Sequence, residues 1–191
     1  MRLTGGELRG RRLAAPPGRS VRPTADRTRE ALFNVLAHAA WASSLELIGC
    51  QVVDVFAGSG ALGFEALSRG AEHAIFLERD RVAREAIRAN AEQLGVAARI
   101  SVRDRAAARP GLATVPCQLA FLDPPYHHDL ARAALAALRE NGWFAAAALA
   151  VVELAANEAF KPPPGFVPVD ERRYGATRLV FLRHATPSPS G

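Results

Sequence analysis

The sequence is poor in several features that would define a class of protein. It contains only two cysteines, Cys50 and Cys117, which lie far apart in the chain and beside apolar residues. This excludes a disulfide framework and a paired-cysteine metal site, so we expect two buried, reduced thiols and no metal. The first residues contain no apolar signal segment, and the most apolar run, residues 143–154, is too short to span a bilayer. We therefore predict a cytoplasmic protein without membrane contact.

The bulk composition is ordinary for a folded chain. The 191 residues are 49% hydrophobic and 23% charged. A chain of this length and composition can bury a core in a single compact unit, and we expect it to be a monomer.

The positive charge is concentrated at one end. Residues 1–30 contain eight arginines and three acidic residues and carry the whole net charge of +5, whereas the rest of the chain has 16 basic and 16 acidic residues. The eight are Arg2, Arg9, Arg11, Arg12, Arg19, Arg22, Arg27 and Arg29. A general preference for arginine explains why Lys161 is the only lysine, but it does not explain this crowding. The pattern predicts contact with a polyanion such as nucleic acid.

Short apolar runs alternate with helical patterns after about residue 48. The predicted strands are 50–56, 73–78, 99–102, 118–123 and 148–154, and the predicted helices between them are 60–70, 79–95 and 130–142. This alternation predicts an α/β fold with a mostly parallel, doubly wound sheet. Residues 166–184 predict an added antiparallel hairpin that turns near residues 174–177.

The N-terminal segment has a different pattern. Residues 2–13 predict a small hairpin or an extended arm, because two glycine clusters interrupt short mixed runs. Thr24 is a candidate N-cap for a helix that continues to residue 41.

A glycine loop follows the first predicted strand. In "DVFAGSGALG", Gly58, Gly60 and Gly63 have the GxGxxG spacing and open a helix. Glycines let the backbone approach a ligand closely, and the helix N-terminus offers free N–H groups. Glu78 ends the next strand, where an acid can accept both hydroxyls of a ribose. The loop therefore predicts a nucleotide-like ligand, but it fits NAD and FAD as well as S-adenosylmethionine.

Two further acids bear on the choice of ligand. Asp54 lies inside the first strand, where it would attract an ammonium group and repel a pyrophosphate. Asp104, just after the third strand, could accept from an adenine amino group or could simply cap a helix.

The sequence "FLDPPY" follows the fourth strand. Because ligands bind at the carboxyl ends of parallel strands, this motif and the glycine loop should share one edge of the sheet. Pro124 and Pro125 stiffen the backbone after Asp123, so acceptor oxygens can be held at a fixed separation for a planar –NH2 group, and Tyr126 offers a face for a base. Such acceptors stabilise the charge that develops on an amino nitrogen during methyl transfer. Asp123, Pro124 and Tyr126 are therefore the predicted catalytic residues.

These motifs together resemble a known family. The segments "LRGRRL", "RPTADRTREALFNVL", "DVFAGSGALGFEALSRGA", "FLERD" and "FLDPPY" are similar to the bacterial 16S ribosomal RNA guanine-N2 methyltransferases of the RsmD type, over residues 2–183. The resemblance implies a Rossmann-like class I methyltransferase with a seven-stranded sheet. It also implies methylation of the exocyclic N2 of one guanine with S-adenosylmethionine, the 16S rRNA being presented in a 30S subunit or an assembly intermediate.

The resemblance also implies roles for individual residues and a division of the chain. The methionine part of the cofactor would contact Phe56, Gly58, Ser59 and Gly60, while Glu78 would hold the ribose and Asp104 the adenine; the charge argument above adds Asp54 to these cofactor contacts. Arg22, Thr24 and Arg27 would contact the RNA, and the charge of the basic segment adds Arg9, Arg11 and Arg12 to the predicted RNA contacts. We expect a basic N-terminal hairpin and helix over residues 1–45 that closes over cofactor and RNA, a methyltransferase domain over 46–185, and a disordered tail over 186–191.

Other functions fit parts of the sequence. An adenine-N6 DNA methyltransferase would use the same acceptor geometry, but it usually needs a recognition domain to extrude and read its base. A glutamine side-chain methyltransferase would not need so basic an N-terminal segment. An NAD-dependent oxidoreductase would leave "DPPY" without a purpose, and in a non-catalytic RNA-binding module Asp123 would be replaceable.

Overall fold

The structure is a computed structural model, and it describes residues 1–15, 23–125 and 129–185, with the backbone alone for residues 23–25. The helices are α1 (Pro23–His38), α2 (Ala61–Ser68), α3 (Arg81–Leu94) and α4 (Leu130–Glu140). The strands are β1 (Gln51–Val55), β2 (His73–Leu77), β3 (Ile100–Arg103), β4 (Cys117–Leu122), β5 (Phe144–Ala155), β6 (Phe166–Tyr174) and β7 (Thr177–His184). Two short 3-10 helices cover Ala40–Ala42 and Ala97–Arg99. No helix in these segments is long and apolar enough to cross a membrane.

The seven strands form one sheet in the order β3-β2-β1-β4-β5-β7-β6. The first five strands in this order pair in parallel, and β7 pairs antiparallel with both β5 and β6. This confirms the predicted mostly parallel sheet with an antiparallel C-terminal hairpin. The carboxyl ends of β1, β2, β4 and β5 therefore meet at a single edge of the sheet.

Helices cover both faces of the sheet. Side chains alternate along β1, so that Val52 packs in one core and Val53 in the other. The core of the first face includes apolar residues of α1, α2 and α3, whereas the core of the second face includes those of α4. The site at the carboxyl edge thus rests on a sheet that is buried on both sides.

The N-terminal segment forms a small hairpin that is part of the first-face core. Arg2 and Arg12 form an antiparallel bridge, and the Leu3 amide donates to the Arg11 carbonyl at 3.0 Å. Leu3 and Leu13 are almost fully buried. The prediction of a small hairpin is confirmed, and its apolar side chains anchor it to the sheet.

Three predicted boundaries differ from the structure. Helix α1 already includes Pro23, so Thr24 lies inside the first turn and the N-cap prediction was wrong; proline suits the first turn because its missing N–H has no helical partner there. The same helix ends at His38, and a 3-10 turn follows where we had predicted α-helix to residue 41. Strand β5 begins at Phe144 rather than 148, because it continues through an irregularity in its pairing with β4.

Candidate active site

The glycine loop connects β1 to α2 through unusual backbone conformations. The φ angles of Phe56, Gly58 and Gly60 are 63°, 55° and 79°. Positive φ is readily adopted by glycine but is uncommon for an aromatic residue, and such strain concentrates at ligand-binding sites. The half-buried Phe56 therefore marks the point where the chain leaves the sheet toward the site.

Close packing also requires glycine in this loop. A Cβ on Gly63 would lie 2.3 Å from a ring carbon of Phe76 on β2, and a Cβ on Gly60 would lie 2.7 Å from the Phe64 ring. Both distances are far below van der Waals contact. The third glycine of the spacing thus brings helix α2 against the sheet, as expected for a loop of this type.

Two acids fix the loop through its amides. The Glu78 carboxylate accepts from the Gly58 amide at 2.8 Å and from the Asp80 amide at 2.8 Å. The Asp54 carboxylate accepts from the Gly63 amide at 2.9 Å. Each of these carboxylate oxygens has a second lone pair, so both groups can also accept from a ligand.

Four carboxyl groups lie along the carboxyl edge of the sheet, one for each of four adjacent strands. Glu78 directly follows β2, Asp54 lies near the end of β1, Asp123 directly follows β4, and Glu153 lies near the end of β5. Burial raises the pKa of Asp54 well above its usual value, and the charges of Asp123 and Glu78 raise it further, against the hydrogen bond from Gly63. Crowding of these carboxyl groups thus disfavours their ionisation, and a cationic ligand bound beside the row would relieve the repulsion between them.

The predicted base-binding motif begins at this row. Asp123 is exposed, Pro124 is buried, and the Asp123 amide donates to the Val55 carbonyl at 3.5 Å, which continues the alignment of β1 with β4. Tyr126 lies outside the described residues. The structure therefore brings Asp123 and the glycine loop to one edge, as the sequence predicted.

A cleft of about 520 Å³ opens next to Asp104. Its lining residues are Arg103, Asp104, Arg105, Pro110, Gly111 and Leu112. The Asp104 carboxylate pairs with Arg84 at 3.0 Å, and Arg84 also donates to the Glu78 carbonyl at 3.2 Å. The chain after Asp104 forms turns and not a helix, so the alternative that Asp104 is a helix N-cap was wrong. Asp104 is instead oriented by Arg84 at the mouth of the cleft.

The N-terminal segment contacts the glycine loop through α3. The buried Asn90 side chain accepts from the Ala14 amide at 2.9 Å and donates to the Ala14 carbonyl at 3.0 Å. Its amide group also donates to the Ser59 carbonyl at 3.3 Å. The Ser59 hydroxyl contacts the sulfur of Met1 at 3.6 Å. One asparagine thus links the basic segment to the predicted cofactor loop.

A second link runs through the fully buried Glu65 of α2. Its carboxylate accepts from the amide and hydroxyl of Thr4 at 2.9 and 2.7 Å, and from the Gly5 amide at 2.8 Å. The guanidinium groups of Arg29 and Arg69 form ion pairs with the same carboxylate, at N–O distances of 3.2 and 2.9 Å. Burial alone would raise the pKa of Glu65, but the hydrogen bonds from Thr4 and Arg69 and the charge of Arg29 lower it.

The arginines of the basic segment divide into two groups. Arg9, Arg11, Arg12 and Arg27 are exposed, as a contact with RNA would require, although Arg11 also donates to the Gln93 carbonyl at 2.7 Å. Arg29, by contrast, is only 4% exposed and binds acids of the protein itself. Arg22 and the side chain of Thr24 lie outside what the structure describes.

Comparisons with known proteins identify the family. The model of the family described as conserved hypothetical protein 95 matches residues 1–183. The Escherichia coli (strain K12) protein named ribosomal RNA small subunit methyltransferase D is 39% identical over 153 residues, which are 80% of this chain and 74% of that protein. The chain belongs to this family. The resemblance found in the sequence is thereby confirmed.

Two further relatives agree with this assignment. The Haemophilus influenzae protein of the same name is 34% identical over 179 residues, covering 92% of this chain and 89% of that protein. A solved Escherichia coli structure, yhhF, described as a candidate methyltransferase, has 35% sequence identity and a TM-score of 0.81 over 97% of this chain and 98% of its own. The fold is therefore that of a Rossmann-like class I methyltransferase, and the chain is a methyltransferase.

Sequence reasoning missed three residues that shape the site of this methyltransferase. Glu65 and Asn90 sit on helices whose patterns gave no sign that they would bind the N-terminal hairpin. Glu153 had a usable signal, because the acid in "AVVEL" interrupts an apolar strand just as Asp54 does in "VVDVF". An acid within a buried strand is costly unless the strand end opens to a site, so both acids carry the same signal in the sequence.

Proposed function

We propose that this chain transfers a methyl group from S-adenosylmethionine to the exocyclic N2 of one guanine in 16S rRNA. The observation that carries the proposal is the row of carboxyl groups beside the glycine loop, with Asp123 in the same row. The relatives named ribosomal RNA small subunit methyltransferase D support an rRNA substrate and do not favour DNA adenine as the target.

The row of carboxyl groups fits S-adenosylmethionine better than a dinucleotide. When bound, this cofactor supplies a methyl group on a positively charged sulfur. Asp54 and Glu78 present carboxyl oxygens to a sulfonium and an ammonium group, and a bound cation favours the ionised form of Asp54, whereas the pyrophosphate of NAD would oppose that ionisation and be repelled by it. We assign Glu78 to the ribose hydroxyls, Asp104 and its cleft to the adenine, and the Phe56–Gly60 loop to the methionine part.

Asp123 and Pro124 act on the target amino group. A guanine amino group is a poor nucleophile because its lone pair is delocalised into the ring. The Asp123 carboxylate and the neighbouring carbonyl oxygens accept from its two N–H groups and stabilise the positive charge that grows on nitrogen as the N–C bond forms. Asp123 then takes up the proton that the methylated nitrogen releases and passes it to water, since this side chain is exposed.

The basic N-terminal segment is assigned to the RNA. Its exposed arginines neutralise phosphates, and its links through Asn90 and Glu65 transmit its position to the glycine loop and α2. We assign residues 1–45 to closure over the cofactor and to RNA contact. The RNA would be presented to them in a 30S subunit or an assembly intermediate.

Transfer of labelled methyl groups tests the proposal. The protein is incubated with labelled S-adenosylmethionine and either naked 16S rRNA or 30S particles, and the modified nucleotide is mapped by mass spectrometry. We expect N2-methylguanosine at a single position, with Asp123→Ala losing transfer while retaining RNA binding. Glu140→Ala, at the exposed end of α4, serves as the matched control. Label on another atom, or unchanged transfer by Asp123→Ala, would contradict the proposal.

A calorimetric comparison separates the methyltransferase from an oxidoreductase. We expect S-adenosylhomocysteine to bind and NAD to show no heat of binding at the same concentration. The opposite order would refute the assignment of the carboxyl row to a cationic methyl donor.

A further inference from the structure

Glu153 is a carboxyl group for which the reaction above has no role. Strands β4 and β5 are parallel, with Leu122 beside Val152, so the next residues in register are Asp123 and Glu153. The two acids therefore stand side by side at the end of adjacent strands. Burial raises the pKa of Glu153 to about 8, and the charge of Asp123 contributes to the increase.

Other charged groups near Glu153 are already engaged. On the β7 side its register partner is the apolar Leu179, and the neighbouring Arg178 binds Glu171 and the backbone carbonyl of residue 158. Alternation from Val151 puts Glu153 on the sheet face that α1 covers, where the buried cation, Arg29, is held by Glu65 and Asp26. No salt bridge to Glu153 occurs within residues 1–15, 23–125 and 129–185. Asp123 is thus the charged group that acts on it.

We propose that Glu153 is a positioning residue that shares one proton with Asp123, so that the pair carries a single negative charge and the charge resides on Asp123. Two carboxylates side by side repel each other, and the more buried one is the costlier to ionise. Glu153 is half-buried and Asp123 is exposed, so Glu153 keeps the proton and Asp123 remains an acceptor.

The consequence for the reaction rests on the proposed function. With Glu153 neutral, Asp123 is free of repulsion from its neighbour and can hold the target amino group. When Glu153 ionises, the repulsion acts on the exposed Asp123 and moves its carboxylate away from the base. The proton that the methylated nitrogen releases goes to Asp123 and then to water, and Glu153 neither gains nor loses a proton over the cycle.

A titration tests the pair without substrate or cofactor. The glutamate carboxyl carbons are labelled with 13C, the Glu153 signal is identified by its absence in Glu153→Gln, and its shift is followed from pH 4 to 10. We expect a midpoint near 8, which falls in Asp123→Asn because the neighbouring charge is gone. A midpoint in the ordinary glutamate range of about 4.3, or one that Asp123→Asn leaves unchanged, overturns the proposal.

The pH dependence of methyl transfer tests the role. In the unaltered protein the rate should decline as Glu153 ionises. Glu153→Gln, in which the side chain is always neutral, should keep most of the rate at pH 7 and should lose this decline. Glu140→Gln, at the exposed end of α4, should keep the decline. A decline of the same size in Glu153→Gln refutes the positioning role.

The two assays separate this inference from the proposed function. If no methyl group reaches 16S rRNA but the titration shows the coupled pair, the function fails and the pair stands. If transfer to rRNA occurs but Glu153 titrates normally and its Gln variant has the original pH profile, the pair fails and the function stands.

Discussion

Replacing Glu65 with alanine should destabilise the protein strongly, because Glu65 joins three parts of the fold. Its carboxylate is fully buried and binds the N-terminal hairpin at Thr4 and Gly5, helix α1 at Arg29, and Arg69 at the end of its own helix. In Glu65→Ala the buried Arg29 loses this carboxylate and keeps Asp26 and the Arg2 carbonyl as partners.

The magnitude follows from burial. Breaking a buried ion pair by removing one partner costs about 3–5 kcal/mol, and for a chain of this length each kcal/mol lowers Tm by roughly 2–4 °C, so Tm should fall by roughly 6–20 °C. A matched control is Glu85→Ala, which removes an ion pair of similar length, 2.8 Å to Arg81, on the surface of α3. An exposed pair contributes about 0–1 kcal/mol, so Glu85→Ala should have nearly the same Tm as the unaltered protein.

Urea and thermal unfolding monitored by circular dichroism measure both variants, and hydrogen exchange of the Thr4 and Gly5 amides reports on the hairpin. The folded state lowers the pKa of Glu65, so its stabilisation is complete above the unfolded pKa of about 4.3 and is lost as pH falls through the folded pKa. The difference in free energy of unfolding between the unaltered protein and Glu65→Ala should therefore become smaller at acidic pH. Equal losses for Glu65→Ala and Glu85→Ala would refute the reasoning.

Two further predictions concern the ligands. Because the pKa of Asp54 is raised, binding of a cationic methyl donor should release protons and become tighter as pH increases, and Asp54→Asn should abolish both effects. Calorimetry in buffers of different ionisation enthalpy measures the proton release. Identical heats of binding in every buffer would contradict the prediction. Replacing the exposed Arg9, Arg12 and Arg27 with alanine should weaken RNA binding, and the slope of log K against log salt concentration should become shallower by about 0.7 per lost phosphate contact. Arg139→Ala on α4 should change neither the affinity nor the slope. Equal slopes for the arginine variants and the unaltered protein would refute the assignment.

The sheet and the location of the site could be predicted from the sequence. Apolar runs of strand length alternating with helical patterns determine a parallel sheet, and the rule that ligands bind at its carboxyl edge brings Gly58, Glu78 and Asp123 together. These features depend on local periodicity and on one topological rule. The structure agrees with them because neither requires the details of side-chain packing.

The features that were missed depend on tertiary contacts. The role of Glu153 follows from the register of β4 and β5, which no local pattern specifies. Arg29 belongs to the eight arginines that give the N-terminal segment its charge, yet it is buried against Glu65, a residue 36 positions away. Asn90 and Glu65 bind a hairpin that is distant in sequence, so helix periodicity marked them only as positions on α3 and α2. The start of α1 was misplaced because both Pro23 and Thr24 favour helix starts.

The central claim is that the carboxyl row presents a methyl donor to Asp123, and a crystal structure of the protein with S-adenosylmethionine tests it most directly. We predict the adenosine at Asp104 and Glu78, the methionine part at the glycine loop and Asp54, and the methyl group facing Asp123 with room for a nitrogen about 3–3.5 Å away. A donor bound elsewhere, or one whose methyl group points away from Asp123, would contradict the account.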